Sequence, residues 1–249
     1  AELVSIASYV GWNNLVYGLP GSSTRLFPVA IDALNEALTD AKAVGLTDYT
    51  ILEGYRSMED QTALFQNAMD QYASRYSGDA LIERAKKDVN YPGTSEYQTG
   101  LSVRLRIYKS GDASVNDQAF STSAQGVWLA ENSWRYGLIF RFPLTDFPLP
   151  YTADKSYKTG ISTEMNVYRY VGKGNAAAMH TLDLCLEEYI EYLMEHPHIA
   201  VFEDGVLRYE IYRQNVGDAD PITLELTGKT ANYDSSLDNM GGVITVFTY

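Results

Sequence analysis

The apolar residues of this chain change their period once, and that change limits what it can fold into. In the first three quarters they recur every three or four positions, as on helices, with short β-type runs between. Val29, Ile31, Leu34, Leu38, Ala41 and Val44 trace one helix face, and Gly45 stands where a C-terminal cap belongs. Ser57 followed by Asp60 reads as a capping box, ahead of the stripe Leu64, Phe65, Ala68, Met69 and Tyr72. Residues 50–52, 101–108 and 138–142 read as strands, and 127–136 as a helix. Residues 18–23 read as a loop. Gly172-Lys173-Gly174 reads as a strand-to-helix turn, because nothing before it forms a phosphate-binding loop. Asn175 is expected to cap one long helix carrying Met179, Leu182, Leu186, Tyr189 and Leu193 and ending before Pro197. Beyond His198 the period falls to two, and residues 205–212, 222–226 and 242–249 read as strands. The pattern predicts an α+β class: a domain over 1–198 with a small antiparallel sheet and packed helices, and a β-rich appendage over 199–249.

Composition removes several functions. A chain of 249 residues with 45% apolar and 20% charged residues can bury a core without covalent staples. Its net charge of -13 argues against nucleic acid, whose phosphates call for a basic face, and against electrostatic docking on an anionic membrane. The single Cys185 cannot form an intrachain disulfide or a cysteine zinc cluster. No apolar run approaches the roughly 18 residues of a transmembrane helix. The sequence begins at Ala1 rather than Met, which is expected of a mature chain whose export signal has been removed.

Four blocks carry chemistry. Residues 53–61 read Glu-Gly-Tyr-Arg-Ser-Met-Glu-Asp-Gln, and residues 92–104 read Pro-Gly-Thr-Ser-Glu-Tyr-Gln-Thr-Gly-Leu-Ser-Val-Arg. Residues 128–143 read Trp-Leu-Ala-Glu-Asn-Ser-Trp-Arg-Tyr-Gly-Leu-Ile-Phe-Arg-Phe-Pro, and residues 159–172 read Thr-Gly-Ile-Ser-Thr-Glu-Met-Asn-Val-Tyr-Arg-Tyr-Val-Gly. Together, over about residues 26–195, they resemble the VanY-like D-alanyl-D-alanine carboxypeptidases, zinc peptidases that trim the D-Ala-D-Ala end of peptidoglycan stem peptides. The resemblance implies that Ser95 and Ser102 are substrate-binding residues and that Glu164 stands at the general-base position. It also implies that Arg56 binds the substrate carboxylate, a task suited to a bidentate guanidinium. A structural ion pair before the helix is the other reading of Arg56. Gln61 would support the same pocket or face water.

The family's zinc ligands are two histidines and an aspartate, in the pattern S-x-H-x-x-G-x-A-x-D followed later by E-x-x-H. Here Ser95 and Gly100 match, but the three ligand positions hold Tyr97, Arg104 and Val167. Met165-Asn166 stands where the family usually has Pro-Trp. A catalytic zinc needs about three N, O or S ligands and a water. Tyrosine is a rare ligand, valine cannot ligate, and arginine is a permanent cation. The resemblance therefore implies no bound metal or other cofactor, and Glu164 idle. His196 and His198 could approach each other at a helix end, where histidine also favours the helix dipole, and His180 lies on the predicted long helix. If the scaffold is intact, Arg104 or Arg106 is expected to approach Glu164. Tyr91, Tyr97, Tyr108, Tyr136, Tyr151, Tyr157, Tyr168 and Tyr170 crowd the blocks, as packing or as an aromatic wall.

Three functions remain in view. The first is a catalytically inactive carboxypeptidase homologue, outside the cytoplasm at the cell wall, binding a stem peptide or a similar carboxylated ligand. The second is a structural or protein-interaction module with a filled cleft. The third is an active peptidase with a metal arrangement unlike the family's.

Overall fold

The computed structural model describes residues 2–9, 24–217, 223–226 and 230–249. The predicted loop at 18–23 lies outside these residues. The chain forms two compact units, Ala1–Tyr170 and Val171–Tyr249.

The first unit contains, in order, β1 (Val4–Ser5), β2 (Arg25–Leu26), α1 (Pro28–Ala43), β3 (Tyr49–Glu53), α2 (Met58–Tyr72) and α3 (Gly78–Ala85). These are followed by β4 (Ser102–Ile107), α4 (Ala113–Asn116), α5 (Ala124–Asn132), β5 (Leu138–Phe140), α6 (Ser156–Thr159) and β6 (Val167–Tyr170). The main sheet has the order β3-β4-β6-β5, all antiparallel. Its strands alternate, and Tyr49, Ile51, Val103, Leu105, Ile107, Leu138 and Tyr168 all turn to one side. There they join Ile31, Leu34, Ala37, Leu38 and Ala41 of α1 in a single core. Helix α1 starts on Pro28, whose fixed φ suits a first turn, and stops where Gly45 takes φ 85. Val29 and Val44, counted on its apolar face, lie at the two ends and are exposed. At α2 the predicted capping box forms, with the Ser57 hydroxyl accepting from the Asp60 amide at 3.1 Å. Gly100, at φ 68, turns the chain into β4, and a Cβ there would stand 2.5 Å from Leu3.

The second unit begins with α7 (Lys173–Leu182) and α8 (Leu186–Glu195) and continues through β7 (His198–Glu203), β8 (Val206–Asn215), β9 (Tyr233–Leu237) and β10 (Gly242–Thr248). Its sheet order is β7-β8-β10-β9. Four sequence expectations are corrected here. The division falls after Tyr170 rather than at 198/199, because α7 and α8 pack on the appendage strands; Gly174 lies so close to Val246 and Tyr209 that no Cβ fits. The predicted long helix is two helices, broken where Asp183 adopts φ 53 and Cys185 begins α8 in a capping box with Glu188. Asn175 is buried inside α7 instead of capping it, and its side chain receives the Tyr189 hydroxyl at 2.8 Å. Finally, residues 223–226 are not a strand; β9 follows them and takes the sheet edge.

Candidate functional site

The side of the first sheet that faces away from α1 carries the residues singled out by the sequence. The register places Glu53 opposite Arg104, and Arg104 opposite Val167. The Arg141 amide continues the ladder by donating to the Val167 carbonyl at 2.9 Å. One row across four strands therefore reads Glu53, Arg104, Val167, Arg141. The next row pairs Ser102 with Arg169, and Arg169 with Ile139. Arg106 follows Arg104 on the same side by the two-residue period.

Two ion-pair systems occupy this face. Glu96, in the turn before β4, forms an ion pair with Arg141 Nε at 2.8 Å and accepts from Arg169 Nη1 at 2.7 Å, and the buried Ser102 hydroxyl donates to it at 3.1 Å. Burial pushes the Glu96 carboxyl up, but the two guanidinium groups outweigh that and hold it below the usual carboxylate range. In the second system Arg56 pairs with Glu53 and donates to Gln61 Oε1 at 2.6 Å, while Gln61 Nε2 donates to the Asn90 carbonyl at 2.6 Å. Gln61 is fully buried on α2, so it fixes Arg56 rather than facing water.

Tyr97 sits between the two systems. The Arg56 guanidinium lies 4.5 Å from the centre of its ring. The ring packs with Phe142, Ile161 and Val167, and Met165 lies against the same cluster. Its hydroxyl is buried and has no hydrogen-bond partner among the described residues. Burial, with Glu53 nearby, pushes the phenol well above its ordinary value, against the opposing pull of Arg104 and Arg56. Ser95 is also buried, at the start of the turn that carries Glu96 and Tyr97.

Positions 97, 104 and 167 come together, and the expected ion pair of Glu164 with Arg104 or Arg106 is not formed among the described residues. Glu164 is exposed and makes no ion pair among the described residues, so neither Arg104 nor Arg106 neutralises it. Water solvates an exposed carboxylate without help, which removes the reason for the expected pairing. The Arg104 side chain is half-buried and has no hydrogen bond or carboxylate partner among the described residues. Arg106 is exposed and lies 5.3 Å from the Tyr108 ring centre.

A zinc ion does not fit these residues. Tyr97 holds its proton tightly inside an apolar cluster, Arg104 brings a positive charge, and Val167 has no donor. Among the described residues no three His, Cys, Asp or Glu side chains converge as a metal site. His196 lies 4.4 Å from the Tyr192 ring, and His198 stacks on Tyr212 at 4.1 Å. Of the tyrosines near the blocks, Tyr97, Tyr136 and Tyr168 are buried and Tyr151 and Tyr157 are exposed, so they form no single wall.

Glu53, Asn90, Glu96, Arg141 and Arg169 were not singled out from the sequence. The available signal was alternation: Arg141 and Arg169 each stand two residues from a position already turned to this face.

A four-stranded antiparallel sheet with one side sealed by a helix and the other bearing the site is the architecture of D-alanyl-D-alanine peptidases. The vancomycin-resistance D,D-dipeptidase VanXYg, solved with a D-Ala-D-Ala phosphinate analogue, shares the fold with a TM-score of 0.68 over 92% of this chain and 83% of that one, at 24% identity. The chain belongs to the VanY family: the family model for D-alanyl-D-alanine carboxypeptidase matches residues 23–173. A D-alanyl-D-alanine carboxypeptidase of Enterococcus faecium is 30% identical over 235 residues, covering 93% of this chain and 64% of that protein. The putative carboxypeptidase YodJ of Bacillus subtilis is 35% identical over 65% of this chain and 52% of its own length. The chain thus spans between 52% and 64% of the length of these two relatives. VanYB in complex with D-alanine-D-alanine superposes with a TM-score of 0.54 at 31% identity, over 70% of this chain and 87% of that one.

Proposed function

We propose that this chain is a catalytically inactive D-alanyl-D-alanine carboxypeptidase homologue, working outside the cytoplasm at the cell wall, where it binds a peptidoglycan stem peptide or a similar carboxylated ligand. The observation that carries this reading is the row Glu53, Arg104, Val167, Arg141. It puts a cation and an aliphatic side chain at two positions where the family resemblance implies metal ligands. Without a metal to lower the pKa of a bound water toward neutrality, the exposed Glu164 has no activated nucleophile to work with. What the face retains is guanidinium groups, which recognise carboxylates. Family relatives named for D-alanyl-D-alanine carboxypeptidase activity, and VanYB solved with the dipeptide, support the choice of ligand.

The test is to incubate the protein with a stem pentapeptide ending in D-Ala-D-Ala, with and without added zinc, and to assay both released D-alanine and binding. No release above the blank, together with saturable binding, is expected. Zinc-dependent turnover would establish the active-peptidase reading instead. The buried cluster of Tyr97, Phe142, Ile161 and Val167 favours the second reading, a filled cleft in an interaction module. Absence of any peptide binding would decide for it.

A further inference from the structure

We propose that Tyr97 and Arg104 together form a receptor for a single carboxylate. This rests on the binding reading above and names the two groups that perform it. They replace Arg56, the residue to which the resemblance assigns that task.

The argument is one of elimination among donors. Four arginines approach the interior of this face, and three are already committed: Arg56 to Glu53 and Gln61, and Arg141 and Arg169 to Glu96. Arg104 alone among these four has no carboxylate partner among the described residues. Its strand neighbour is Val167, and Val167 packs against the Tyr97 ring, so the two side chains share one corner of the sheet. There the Tyr97 hydroxyl is buried and unpartnered among the described residues, at 6% exposure of the residue. Folded proteins rarely leave such a group unpaired unless a ligand, ion or water completes it.

The Ser95 hydroxyl and Arg169 Nε are also buried without a hydrogen-bond partner among the described residues; in the corner of Tyr97 and Arg104 the open donor capacity is one charged fork and one neutral hydroxyl. A planar carboxylate accepts from both, and its single charge matches the single uncommitted guanidinium. The phenol keeps its proton, since burial raises it, so it stays a donor throughout the neutral range. Phe142, Ile161 and Val167 line the other side and suit a small apolar substituent beside the carboxylate. The hydroxyl lies beneath the surface.

Calorimetric titration tests this with four probes: N-acetyl-D-Ala-D-Ala, its C-terminal amide, acetate and inorganic phosphate. The wild type should bind the free acid, and the amide at least about tenfold more weakly. Tyr97→Phe should lose about tenfold in affinity and Arg104→Gln about ten- to a hundredfold, as expected for hydrogen bonds to a charged group. Each variant is checked for a wild-type melting curve; if Tyr97→Phe does not fold, the partly exposed Arg104→Gln carries the test. Dipeptide binding unaffected by either substitution would overturn the receptor and leave the proposed function standing. Acetate binding that depends on both residues, with no dipeptide binding, would support the receptor and overturn the stem-peptide reading. Phosphate bound more tightly than either carboxylate would overturn the carboxylate assignment. No binding of any probe would overturn both.

Discussion

Glu96 is the residue on which the site face turns. It is 8% exposed and neutralises two arginines at once. Removing its charge leaves two guanidinium groups poorly compensated in a dry setting, so Glu96→Gln should cost about 3–5 kcal/mol of stability. The pH dependence follows from the direction of its shift. The folded carboxyl is depressed, so its contribution is complete above the ordinary carboxylate value of about 4.5 and is lost as pH falls through the folded value. Urea unfolding at about pH 7 and pH 3 should show a larger loss on acidification for the wild type than for Glu96→Gln. Equal losses would mean that Glu96 titrates normally. A second substitution addresses the metal. Tyr97→His, Arg104→Asp and Val167→His combined should raise zinc affinity, because they replace a tightly protonated phenol, a cation and an aliphatic side chain with three common zinc ligands. D-alanine release should remain weak, since missing supports around metal ligands typically cost about 10–100-fold, and Glu164 is exposed rather than held against the site. Elemental analysis and a release assay read the two effects separately. The sequence made positions 97, 104 and 167 legible, because they fall in motif blocks. It did not reveal that Glu96 would meet Arg169, 73 positions away. Pairing at that separation depends on which strands become neighbours, and alternating charges on a strand otherwise read as a solvated face.

At the scale of elements, local signals worked where the cause of an element was local. The Ser57–Asp60 capping box and the Gly45 stop rest on neighbours within a few residues, and strands 49–53 and 102–107 show local β-type runs although they pair with each other across the chain. The long helix failed for the opposite reason. Its apolar spacing continues through residue 183, but packing of α7 and α8 on the sheet breaks it at Asp183, a residue type that tolerates left-handed backbone. Edge strand β9, Tyr-Asp-Ser-Ser-Leu, has no apolar alternation at all and is a strand because β10 pairs with it. Two substitutions probe such non-local causes. Gly126→Ala in α5 gains roughly 1 kcal/mol of helix propensity. Yet its Cβ would lie 1.8 Å from the Phe120 carbonyl oxygen, so the net effect should be destabilising, with a lower melting temperature. At the β9–β10 turn, Asp238 pairs with Arg213 at 2.6 Å and accepts the Met240 and Gly242 amides at 2.8 and 2.9 Å. Asp238→Ala should accelerate hydrogen exchange at those two amides and leave α1 amides unchanged. Uniform acceleration throughout the chain would show that the turn is not a local unit.

At the scale of the whole molecule, the charges are unevenly placed. The chain carries -13 overall, yet one sheet face sets Arg56, Arg104, Arg106, Arg141 and Arg169 against Glu53 and Glu96. An anionic ligand therefore meets two fields of opposite sign. On approach, out to about one Debye length from the surface (roughly 8 Å at physiological ionic strength), it senses the net negative chain, and farther out the field is screened. In contact it senses the arginines, which are partly buried and screened far less. At about 0.01 M salt the screening length grows to about 30 Å and the repulsive field reaches furthest. Raising the salt toward 0.15 M should thus speed association of a singly negative peptide, by less than about tenfold, while dissociation changes little. Stopped-flow binding across that range gives both rates. Association that slows with salt would mean that the arginine face governs the approach as well as the contact. Net charge would then be a poor guide to which ligands this fold attracts. The sign of the salt slope thus separates a site that captures anions at a distance from one that recognises them only on contact.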